Sequence, residues 1–239
     1  MRATLRLTAL VIFGLATLFG GSPAAAAPTL AGNLCGFAQR QHLMPTGDTC
    51  VNALRTDVTG GSRADLVLLY DRIRAGVNGS VDFGAYTLKV VPAGAGETLQ
   101  SRVDSQLPPV FIVAAGHVND EPGVELFVQV AHISSGSYVA IYSDQGGRLV
   151  RSRVTLSYGG DSANRFGFSC IRTPRPEIVQ RSYDLLGPDI TGRWKEKIDT
   201  YAWRGPTLRL IGSKSTMHYG WPDPADAGIS AGCSPVQGY

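Results

Sequence analysis

The chain has 239 residues, of which 44% are hydrophobic and 17% charged, enough apolar material to build a core and too much for a disordered tail. Its first 26 residues hold two of the 22 basic side chains and no acid, so the rest carries 20 basic against 19 acidic residues. That near-balance, with no basic run interleaved by aromatics, excludes nucleic acid as a partner.

The opening stretch, MRATLRLTALVIFGLATLFGGSPAAAAP, places Arg2 and Arg6 ahead of an apolar run and ends in small residues. This pattern predicts a signal peptide over residues 1–26, cleaved after Ala26. The run is short and is interrupted by Gly20, Gly21 and Pro23, so no membrane association is expected after cleavage. The mature chain is expected to be secreted, extracellular or held in the cell envelope.

All four cysteines, Cys35, Cys50, Cys170 and Cys233, follow the signal segment. An even count in an exported chain predicts two disulfides, with three pairings formally open. Cys35 with Cys50 would staple CGFAQRQHLMPTGDTC, a stretch with no clear strand pattern, and covalent closure suits a loop that buries little apolar surface. Cys170 would then tie Cys233 back onto the body. Zinc is disfavoured because no Cys or His pair has ligand spacing. Residues 27–56 thus read as a disulfide-stapled loop region and residues 57–239 as the folded domain.

Strand signals dominate that domain. DLVLLY, VDFGAYTLKVV, PVFIVAA, VELFVQV, SYVAIYS, RLVRSRV, FGFSCI, EIVQRSY, IDTYAW and TLRLIGS are short, rich in β-branched and aromatic residues, and separated by turn formers. The one helix candidate is ETLQSRVD, residues 97–104. SSGS and DQGG join three strands into a meander over residues 125–154. In VELFVQV, Leu126, Val128 and Val130 point one way and Phe127 the other, which predicts a strand covered on both faces. The fold class is all-β, built of antiparallel meanders and hairpins.

Two loops carry acids at related spacings. In DVTGGSRADLVLLY, Asp57, Thr59 and Asp65 fall at positions one, three and nine; in HVNDEPGVELFVQV, Asn119, Glu121 and Glu125 fall at positions three, five and nine. Calcium loops alternate oxygen ligands in this way, so these six residues are candidate metal ligands. Against that, Gly61 and Ser62 lack the expected acid and glycine, His117 replaces the first acid, and Pro122 takes the glycine position. Asp, Asn and Thr also stabilise tight turns through their own backbone, and turn stabilisation without a cofactor is the preferred reading. A third copy beginning at Asp189 places Lys197 where an acid belongs.

Each loop with its following strands resembles a degenerate FG-GAP or VCBS-type repeat of the integrin-like β-propellers, over residues 55–155. The resemblance implies a blade of about four strands per repeat, with ion positions at Asp57, Thr59, Gly61 and Asp65, then His117, Asn119, Glu121 and Glu125. Two to three repeats do not close a typical ring. The expectation is therefore a set of irregular or reduced propeller-like blades, with a small β-sandwich as the alternative.

Catalytic patterns are few. FGFSCIR resembles the end of the nucleophile motif of L,D-transpeptidases at Cys170, Ile171 and Arg172, but Phe168 and Ser169 stand in place of the glycine and histidine. Ser162 in YGGDSANRFG echoes an esterase serine without its Asp-x-x-His partner, and His42, His117, His132 and His218 share no ligand spacing. The sequon at Asn78 is a possible glycan attachment point only in a host that glycosylates. The sequence predicts a secreted, non-enzymatic binding module with vestigial calcium-type loops and an extracellular protein or glycan as its unidentified partner. Contacts are expected at exposed loops or at Trp194, Trp203, Tyr219 and Trp221. The alternative is a cell-wall peptide-modifying enzyme that uses Cys170, and the oxidation state of that sulfur separates the two.

Overall fold

The computed structural model describes residues 34–71, 74–75, 81–82, 85–105, 107–172, 174–188, 192–230 and 232–235. The expected signal peptide, the sequon at Asn78 and the start of the third loop copy at Asp189 lie outside the described residues. The elements in order are α1 (Leu34–Arg40), β1 (Thr49–Thr56), β2 (Asp65–Asp71), β3 (Arg74–Ala75), β4 (Val81–Asp82), β5 (Ala85–Val91) and β6 (Leu99–Asp104). They continue with β7 (Phe111–Gly116), β8 (Glu125–Ile133), β9 (Gly136–Asp144), β10 (Leu149–Gly160), β11 (Asn164–Ile171), β12 (Glu177–Leu186), β13 (Arg193–Arg204) and β14 (Thr207–Tyr219). A 3-10 turn at Pro224–Ala227 leads into β15 (Ile229–Ser230) and β16 (Ser234–Pro235).

The chain is all-β, as the strand signals predict. One sheet has the order β1-β2-β5-β6; a ten-stranded sheet runs β14-β13-β12-β11-β10-β9-β8-β7-β16, with β15 beside β11; β3 and β4 form a separate hairpin. Two meanders therefore follow one plan, β1-loop-β2-β5-β6 and β7-loop-β8-β9-β10, each with its acidic loop between the first and second strands.

Three cores separate the layers. The two meanders face each other through Leu54, Val67, Leu69 and Leu88 from the first and Ile112, Leu126, Val128 and Tyr142 from the second. The other face of the second meander carries Val113, Phe127, Val139 and Ile141 against Phe168, Cys170, Ile178 and Leu208. The long sheet folds over itself to achieve this. Only Gly159↔Phe166 and Gly160↔Arg165 link β10 to β11, and past that corner β11 to β14 lie back across the second meander. The VELFVQV strand is covered on both faces with the sidedness the sequence predicts, and Phe127 stacks on Phe168 at 5.4 Å.

The outer face of the first sheet, Ala53, Leu66, Leu68 and Tyr70, is covered by Leu34 and Ala38 of α1 and by Met44. This corrects the reading of residues 27–56 as loop. The short α1 buries a single i,i+4 pair, and β1 was hidden because a bulge between Cys50 and Asn52 breaks its alternation. The domain boundary placed at residue 57 thus falls after the first strand of the first meander. ETLQSRVD is corrected from helix to strand: Leu99 and Val103 are four apart, a spacing that lands on one face in either period, and pairing with β5 decides it.

Both expected disulfides are present, Cys35–Cys50 and Cys170–Cys233, which indicates an oxidising compartment. No helix among the described residues is long and apolar enough to cross a membrane.

Candidate functional site

The acidic loops come first, because the sequence singled them out. Asp65 Oδ2 accepts hydrogen bonds from Val58 N at 2.9 Å, Thr59 N at 2.9 Å and Thr59 Oγ1 at 3.0 Å. Its Oδ1 accepts from Ala93 N at 3.0 Å. Asp57 takes Gly61 N and Ser62 N, one on each oxygen, at 3.0 and 2.9 Å. In the second loop Glu125 Oε2 accepts from Val118 N at 2.9 Å, and Asn119 Oδ1 accepts from Glu121 N at 2.8 Å. The ninth-position acid thus holds the second-position amide in both copies. Asp57, Thr59 and Asp65 gather around one turn; Asn119 and Glu121 lie at the surface of the other, while Glu125 is buried. Among the described residues no three His, Cys, Asp or Glu side chains group so as to hold a metal.

The loops also lock into each other. Val124 N donates to Asp57 O at 2.8 Å. Gly123 has φ +97, and a Cβ there would sit 2.2 Å from Val58 O; a Cβ on Gly60 would sit 2.3 Å from Pro122 Cβ. Pro122, out of place in a calcium loop, is thus a packing partner of the first loop.

Burial pushes the Glu125 carboxyl up to about 8 from an ordinary 4.5, against the opposing pull of the Val118 N–H. Since the folded value is raised, stability is complete below pH 4.5 and falls as pH climbs toward 8, where the unfolded chain ionises and the folded one resists. Urea unfolding should show the parent losing about 2–3 kcal/mol relative to Glu125→Gln between pH 5 and pH 7. Parallel pH profiles for the two proteins would refute this.

The fold also forms a cleft. A cleft of about 640 Å³ opens between the β8–β9 hairpin and the C-terminal segment, with Phe111, Val113, Gln129, His132, Ser137 and Tyr158 among its walls. Backbone of Gly136, Gly159, Gly160 and Gly228 forms much of the rim. Strand register assembles the polar part: Ser137 stands opposite His132 on β8 and opposite Tyr158 on β10, so all three side chains share one face. His132 Nδ1 and Ser137 Oγ are 2.8 Å apart. Tyr158 Oη donates to Gln129 Oε1 at 2.6 Å, and Gln129 Nε2 donates to Pro109 O at 2.8 Å. The Tyr158 ring meets Phe168 edge-on at 6.4 Å. Burial pushes its phenol above the ordinary value.

The C-terminal wall is pinned at three points. Phe168 N donates to Gly228 O at 3.0 Å, Tyr183 Oη donates to Asp226 Oδ2 at 3.0 Å, and Cys233 is bonded to Cys170. Gly167 admits this close approach, since a Cβ there would lie 1.9 Å from Asp226 O.

None of the four terminal aromatics named from the sequence lines this cleft. Trp194 is fully buried and meets Trp221 edge-on at 5.5 Å; Trp221 lies under the Arg165 guanidinium at 4.2 Å; Trp203 packs into the second core; Tyr219 is exposed on the edge strand. Cys170 is oxidised and buried, so its sulfur is not available as a nucleophile. Ser162 sits on an exposed turn capped by Asp161, which accepts from Ala163 N and Asn164 N. Sequence reasoning missed Phe111, Gln129, Ser137 and Tyr158. The available signal was Gln129, a lone amide inside an apolar strand, which demands buried partners.

No family model matches the chain, and neither a curated protein nor a solved structure matches it.

Proposed function

We propose that the chain is an exported, non-enzymatic binding module whose ligand enters the cleft between the β8–β9 hairpin and the C-terminal segment. The observation that carries this is the set of fixed polar side chains on the cleft wall, with His132 bonded to Ser137 and Tyr158 to Gln129. A preorganised row of hydrogen-bonding groups beside apolar rings is how ligand sites obtain specificity. The two disulfides support an oxidising destination, in keeping with the signal-like leader. The duplicated meander supports reading the chain as a pair of propeller-type repeats whose calcium-type loops now serve as turn caps, because their acids spend their oxygens on backbone amides.

Amide-resolved NMR of the mature protein against a set of small neutral, acidic and basic ring compounds tests the site. Binders are expected to shift Gly136, Gly159, Gly160 and Gly228 together. Binders that leave these four unmoved would overturn the cleft reading, and covalent labelling of Ser137 by a fluorophosphonate would overturn the non-enzymatic one.

A further inference from the structure

We infer that the cleft recognises a neutral saccharide, one pyranose ring resting against Phe111 and Tyr158 with its hydroxyls on the polar row. This rests on the cleft being the binding site. Three observations lead to the ligand class.

The first is charge. Among the described residues no Asp, Glu, Lys or Arg lines the cleft. An ionic ligand would shed water there without a counter-charge, which is costly.

The second is the direction of the hydrogen bonds. Pro109 O can only accept, so the Gln129 amide must present its NH2 to it and its oxygen to Tyr158. Tyr158 therefore donates to Gln129 and keeps its oxygen as an acceptor. Ser137 Oγ and His132 Nδ1 share one hydrogen bond whose donor is set by the ring tautomer. His132 Nε2 lies on an exposed side chain, and Ser134 adds a hydroxyl at the rim. Such a surface wants a ligand that donates through hydroxyls and can also accept.

The third is shape. Phe111 and Tyr158 offer flat apolar faces, and Tyr158 is held by Phe168 at its ring and by Gln129 at its hydroxyl. Glycine backbone at the rim leaves room beside them. A pyranose, with an apolar C–H face and a hydroxyl edge, matches both; an apolar ring would leave the polar row unused, and the cost of unmet polar groups disfavours it.

The test titrates the full mature protein with cellotriose, maltotriose, chitotriose and mannotriose, with trigalacturonate and indole as contrasts, followed by amide shifts. At least one neutral trisaccharide should move the four rim glycines, and Tyr158→Phe, checked for an unchanged fold, should weaken that binding about tenfold. If indole moves the rim glycines and no saccharide does, or trigalacturonate binds as well as the neutral sugars, the ligand class is wrong while the cleft stands. A saccharide that binds without moving the rim overturns both. No response to any trisaccharide overturns this inference.

Discussion

Asp65→Ala should lower the unfolding free energy by about 4 kcal/mol and the melting temperature by about 10 °C. Four donors end on this carboxylate, which is only 1% exposed. Each donor left without a partner costs roughly 1–3 kcal/mol when buried, less where water reaches it. Thr59 and Ala93 sit at the partly buried rim, so the lower end applies to them. Asp65→Asn keeps one acceptor oxygen and should lose about half as much. The parent itself should melt at the same temperature in calcium and in chelator, since these oxygens already serve backbone amides. Thermal melts decide both points. An Asp65→Ala protein as stable as the parent would refute the capping role, and a calcium-induced rise of many degrees would show that the loop is an ion site.

Removing the Cys170–Cys233 bond by the double change to alanine should cost a similar amount by a different route. The bond closes a sequence separation of 63 residues, for which loop-closure entropy gives about 4 kcal/mol. The Cys35–Cys50 bond spans 15, for which the same relation gives about 3 kcal/mol. Both pairs are half or fully buried beside apolar side chains, so alanine avoids stranding a hydroxyl. The distal pair also has a local consequence, because Gly228 and Ile229, which line the cleft, lie just ahead of Cys233. The double variant should therefore show weaker ligand response at the rim glycines even well below its melting point, whereas loss of Cys35–Cys50 should leave that response intact. Equal binding by both double variants would mean that the C-terminal wall holds without its bond.

The all-β layering was legible because its middle strand announces itself. Leu126, Val128 and Val130 with Phe127 between them admit no solvent face, and the structure gives each set its own core. The acidic loops were legible as turns for a local reason: the bonds of their acid side chains span seven residues or fewer apart from that to Ala93. The cleft was hidden because no segment contains it. Phe111, Gln129, Ser137 and Tyr158 come from four neighbouring strands, and Gly228 closes the wall only when the C-terminal segment returns. The terminal aromatics misled for a related reason. Trp194 stands opposite His218 and Leu185 in the register and is shielded by Trp221, contacts set by strand pairing and by the return of the chain rather than by its own neighbours in sequence.

The placement of β8 and β9 between two cores sets how the molecule opens. Their amides, with buried side chains above and below, have no partial route to solvent, so deuterium should enter them only when the whole domain unfolds. Past Leu208, strand β14 is bare on both faces along most of its length, so that part can fray without disturbing either core. The slowest exchanging protons thus measure the global free energy directly, while the outermost hairpin reports a separate and much cheaper local opening.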